Sequence, residues 1–199
     1  MGMEKVEELA EALKAVEDEL NLAKRVYLAF PFIFWSFAIS FMYLLDLILV
    51  KYAGLEWDYV STIISLLFVA WFLIENTRVF GKVEAIERVL GRRREKKPFY
   101  AVSQVLAWFT AFFVASYLYG TGGKGMLLFV GLALFLMVAV DLSFYRRVQS
   151  EMVLAGSIIL SSAYLAGKLP VQEMAFAVMV ISSAFSFAAF LHIRRAMRE

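Results

Sequence analysis

At 199 residues, with 62% of them hydrophobic and only 19% charged, the chain is too apolar for a water-soluble domain, in which about a quarter of the residues are charged. The net charge of +2 decides little, because its distribution matters more than its sum, and no nucleic-acid partner is expected. There is no cysteine, which excludes disulfides, thiolate metal sites, iron–sulfur clusters and S-acylation.

Taken from the N-terminus, residues 1–25 are rich in charge and lack a compact apolar core with a small-residue cleavage site, so a retained first hydrophobic segment is expected rather than a cleaved signal. Within them Val6, Leu9, Leu13, Val16, Leu20 and Ala23 recur at alternating spacings of three and four, the a/d row of a short coiled coil. Such an amphipathic helix needs a partner for its apolar face.

A helix must be about 20 residues long to cross a hydrocarbon core about 30 Å thick. Runs near that length fall at 26–50, 58–79, 99–119, 125–145, 151–167 and 171–193, the fifth being the shortest and rich in small residues. Pro31 lies early in the first run and predicts a kink there. Pro98 and Pro170 stand at or just before the starts of the third and sixth, where a missing N–H is harmless. The glycines of "GTGGKG" at 120–125 predict a tight turn between the third and fourth.

Charge orients these runs. Of the 20 Lys and Arg residues, 17 fall on alternate connections beginning with the N-terminus, and only Lys51, Lys124 and Lys168 fall on the others. The positive-inside rule then predicts six spans with both termini cytoplasmic, in a multi-pass protein of the cell membrane. The fold class expected is an all-α integral membrane protein. It has a cytoplasmic helix at 1–25 and a six-helix bundle at 26–199, whose basic cytoplasmic connection lies at 78–98.

That connection carries its own apolar stripe, Val79, Val83, Ile86 and Leu90. It holds eight cations against three acids, whereas residues 1–23 hold seven acids against two cations. The two segments match in apolar row, charge and direction, which predicts a cytoplasmic stalk. Its contacts are Val6, Leu9, Leu13, Val16 and Leu20 from the first helix with Val83, Ile86 and Leu90 from the extension of the second span. Pairing within one chain or between two copies satisfies the same arithmetic. Arg92, Arg93 and Arg94 are placed to meet anionic lipid headgroups.

Ionisable groups inside spans are costly and mark candidate sites. Asp46, Glu75, Asp141 and Glu173 qualify, all near span ends, and for most of them a cation following closely in sequence predicts local pairing. Glu75, Asn76 and Gln104 lie at one depth on the second and third runs and form a candidate polar cluster. Ser36, Ser40, Ser65, Thr110, Ser161 and Ser182 are candidates for lining a solute pocket. The fifth and sixth runs repeat small residues at intervals that let helix backbones approach closely.

Enzymatic signatures are missing: the one histidine, His192, rules out a two-histidine metal site within the chain, and HExxH and GK[ST] motifs are absent. No catalytic, metal or cofactor residue is assigned. The expected role is that of a non-enzymatic subunit, scaffold or regulator working through helix–helix contacts. Its expected partners are the bilayer with its anionic lipids and either a second copy or another protein. The alternative is a small-solute transporter, a channel or the substrate-binding membrane subunit of an uptake system.

Overall fold

The computed structural model describes residues 2–54, 57–91, 99–120, 122–168 and 172–197, apart from the side chains at 2–5, 7, 51, 53 and 57–62. The described chain is all helical: α1 (Gly2–Ala53), α2 (Trp57–Val89), α3 (Tyr100–Tyr119), α4 (Gly123–Tyr145), α5 (Ser150–Leu165) and α6 (Glu173–Ala196). All except α5 are long and apolar enough to cross a membrane. Pro98 and Pro170, whose positions at helix starts the sequence suggested, lie outside the described residues, as do Arg92, Arg93 and Arg94.

Consecutive helices run antiparallel, as the contact pairs show. Lys24 meets Glu87, Tyr100 meets Asp141, the Gly131 backbone lies against Leu160, and Arg195 meets Ser150. One end of the bundle therefore gathers Arg25, Arg88, Arg146, Arg147, Arg194 and Arg195. The other end carries Lys124 and Lys168, each over a tyrosine ring, Tyr119 at 4.1 Å and Tyr164 at 3.6 Å. The alternation seen in the sequence is thus a segregation of charge in space.

The 16 residues of α5 reach only about 24 Å. Even so, α5 and the turn that follows it run the height of the bundle, from Ser150 beside Arg195 to Gly167 beside the Glu173 carboxylate. Its flanking turns make up the missing length.

The core is built from α1, α4, α5 and α6, with α2 packed on α1 and α3 packed on α4. Small residues set the spacing. Gly131 of α4 and Gly156 of α5 bring those two backbones together, since a Cβ on Gly131 would lie 2.6 Å from Leu160 and one on Gly156 3.0 Å from Phe135. Gly123 abuts the backbone of Glu173, which locks the start of α4 to the start of α6. Leu127, Ile159 and Ile181 fill the space between them. Against α1, by contrast, α2 is held by bulk. Phe30, Phe34 and Trp35 interleave with Phe68, Trp71 and Phe72 at ring separations of 5.1–6.5 Å.

Helix α1 passes through Pro31 without interruption, a run of 52 residues or about 78 Å. The kink expected there does not break the helix, and no helix boundary falls at residues 25 and 26. At the level of Lys24 the chain is a two-helix structure with α2; beyond it α2 ends at Val89, while α1 continues for about 27 Å.

Candidate functional site

Three polar constructions and one exposed apolar row stand out from this bundle. The first row to consider is that of α1. Val6, Leu9, Leu13 and Val16 are 68, 66, 64 and 54% exposed, whereas Leu20 is half-buried where α2 begins to cover it. On α2 Val83 is buried and Ile86 and Leu90 are half-buried. The base of the expected stalk is therefore formed within one chain. It is fastened by a Lys24–Glu87 ion pair at 2.7 Å whose side chains are 17 and 10% exposed, and by the Lys82 ammonium over the Tyr27 ring at 5.4 Å. Past that base, the seam from Val6 to Val16 lies beyond the end of α2.

Asp141, near the Arg-rich end of α4, is 4% exposed. Its Oδ1 accepts from the Tyr100 hydroxyl and, at 3.1 Å, from the Gln104 carboxamide, and its Oδ2 accepts from Gln149. The carboxylate thereby joins the N-terminal turn of α3 and the residue preceding α5 to the end of α4. Helix N-termini carry partial positive charge, so the anion is placed where α3 and α5 favour it. Arg146, in the left-handed region at φ 51°, ends α4 and turns the chain back so that Gln149 can reach Asp141. The local Asp141–Arg146 pairing suggested by the sequence is replaced by this three-donor cradle.

A second buried carboxylate, Glu151, is also 4% exposed and bonds Arg195 at 2.7 Å. Ser150 donates to its other oxygen at 3.1 Å and accepts from Arg195 at 3.2 Å, which clamps the start of α5 to the end of α6. Nearby, the His192 ring packs on Phe32 at 5.5 Å and links α6 to α1.

Half-way along the bundle, α1 and α6 share a serine ladder. Ser36 donates to the Ser182 carbonyl at 2.9 Å and contacts the Ser186 hydroxyl at 2.6 Å, while Ser40 contacts the Ser182 hydroxyl at 2.8 Å and its own helix at the Ser36 carbonyl at 3.3 Å. With Ser186 donating to Ser36 and Ser182 donating to Ser40, each of the four hydroxyls donates once. The ladder is self-satisfied.

The proposed grouping of Glu75, Asn76 and Gln104 is not assembled within the described chain. Gln104 joins Tyr100 and Asp141, while Glu75 pairs with Arg78 on its own helix at 2.7 Å. The reason is topological, because α2 packs on α1 and α3 on α4, and α2 and α3 share no packing contact. Asn76 is half-buried, and its Oδ1 has no hydrogen-bond partner among the described residues. Of the serines singled out as pocket-lining, Ser36, Ser40 and Ser182 meet in the ladder, and Ser186 completes it.

Sequence reasoning missed Tyr100, Gln149 and Glu151. Glu151 had a readable signal, an acid in the first turn of a helix preceded by two arginines, whereas Tyr100 and Gln149 acquire their roles only once three helices converge. Among the described residues, no three His, Cys, Asp or Glu side chains gather as they would around a metal ion. Compared with protein-family models, curated proteins and solved structures, the chain matches none.

Proposed function

We propose that the chain is a multi-pass protein of the cell membrane in which all six helices cross the bilayer, the Arg-rich end and both termini face the cytoplasm, and the protein acts without catalysis as a subunit or scaffold. The segregation of cations to one end supports this orientation through the positive-inside rule. The short α5 crosses because its neighbours α4 and α6 shield it. The connection at 92–97 meets anionic headgroups through Arg92, Arg93 and Arg94.

The observation that carries the functional reading is the unbroken course of α1 from the bundle into a protruding segment with four large apolar side chains in the open. Fully burying one such side chain is worth about 1.5–3 kcal/mol. A helix anchored in the bundle presents that surface at a fixed place and direction. The serine ladder supports the same reading over solute transport, because the midplane hydroxyls of α1 and α6 bond each other.

The test is purification of a tagged chain from its native membranes in mild detergent, with the intact particle weighed with and without residues 1–23. Added protein mass that disappears on truncation is the expected result. A particle of one 22.6 kDa chain in both cases overturns the reading.

A further inference from the structure

We propose that the exposed seam of α1 pairs with the same seam of a second copy in the same membrane, in parallel and in register, above the point where α2 ends. This rests on the contact reading above and names the partner.

The seam is continuous with an interface already present. With Val6, Leu13 and Leu20 at a positions and Leu9, Val16 and Ala23 at d positions, the row that α2 covers at Leu20 and below is the same row left open at Val6 to Val16. The helix that covers the lower row stops at Val89. A second α1 continues the packing that α2 begins.

Residues 1–23 are strongly acidic, and a segment of one sign ordinarily repels its copy. In this heptad frame, however, Glu4, Glu11 and Asp18 take f positions and Glu7 and Glu8 take b and c, all on the outer face of a two-stranded pair. The flanking g and e positions, which face each other across a parallel seam, would pair Lys5 with Ala10 and Ala12 with Glu17, while Lys24, the counterpart of Glu19, is held by Glu87 of its own chain. No pair opposes like charges. Of the five g and e positions from Lys5 to Glu19, three carry no acid, so a basic partner would meet acids only at Glu17 and Glu19.

Copies in one membrane project α1 from the same face, so a symmetric pairing between them is necessarily parallel. Isolated helices of two or three heptads are marginal because nucleation is unfavourable. Here the nucleus is supplied by the bundle, from which α1 simply propagates.

The cysteine-free chain permits a direct test in native membranes. Single variants Leu9→Cys, Leu13→Cys and Val16→Cys are oxidised beside Glu11→Cys and Asp18→Cys, all at exposed positions that leave the bundle untouched. The proposal expects a disulfide-linked species of twice the 22.6 kDa chain mass, several-fold stronger at the three seam positions than at the two outer ones. Equal yields at all five overturn it, since they report random collision. Maleimide labelling of the same variants separates the remaining outcomes. A Leu13→Cys thiol that is shielded but uncrosslinked overturns the second copy while keeping the contact reading, because a different protein covers the seam. A thiol that is uncrosslinked and as reactive as that of Glu11→Cys removes both.

Discussion

The α4–α5–α6 side of the bundle and the first 18 residues of α1, Gly2 to Glu19, are both helical, yet they are helical for different reasons. In the former, glycine and alanine let backbones touch, and 39% of the most apolar 18-residue stretch of α4 and of α6 is buried, against 11% for that of α2. In the latter, every described side chain from Val6 to Glu19 is exposed. The first region is stabilised by what surrounds it. The second is stabilised by what it is attached to, because a helix already nucleated in the bundle propagates at little cost. Helical structure alone does not identify the core of such a protein. What separates core from contact surface is whether the apolar face has already been covered.

The most severe way to break the comparison is to add bulk where backbones meet. Gly123→Val sets a branched side chain against the Glu173 backbone, which cannot rotate away. A loss of about 3 kcal/mol or more is expected, seen as a lowered Tm in detergent. An unchanged Tm would mean that the α4–α6 contact does not hold the bundle together. Next in size is Asp141→Leu, which strands the donors of Tyr100, Gln104 and Gln149 and should cost about 3 kcal/mol, with Asp141→Asn retaining part of it. Equal losses for both replacements would show that charge and not hydrogen bonding secures α3 and α5.

A smaller effect is expected in the serine ladder. A double-mutant cycle on Ser40→Ala and Ser182→Ala should return a coupling of about 0.6 kcal/mol, the usual strength of a side-chain bond between membrane helices. Zero coupling would remove the ladder from the α1–α6 contact. The smallest change in stability belongs to the protruding segment. Leu13→Glu should shift the unfolding free energy by less than about 0.5 kcal/mol, the range for exposed sites, while abolishing association in the membrane. A large loss of stability there would place the N-terminal segment within the core and erase the contrast.

Much of this was legible in the residues. The six helices and their alternation follow from runs of apolar length and from the spacing of cations, properties that each segment carries by itself. The rows around Leu20 and Ile86 matched in the sequence, and in the structure Lys24 pairs with Glu87 near that level. Other features were not. Gln104 and Glu75 lie at one depth, but depth alone does not say which helices are neighbours. The choice of α4 as the partner of α3 placed Gln104 on Asp141. Pro31 predicted a kink, because an interior proline removes a backbone hydrogen bond; α1 runs on through it as one helix, with Phe32 packed on Phe185 and Phe34 on Phe72 beside it.

By itself, then, the sequence determined that the chain is helical, that its helices are long and apolar, how its charge alternates between connections, and that its first helix carries a heptad row. Each is a local or one-dimensional property, set by composition, period and order along the chain. Only the tertiary structure decided which helices touch, which carboxylates are cradled, that the serines of α1 and α6 satisfy one another, and how far α1 outruns α2. Those outcomes depend on packing between segments distant in sequence, where the volume of a single side chain, such as the missing one at Gly131, sets which faces meet.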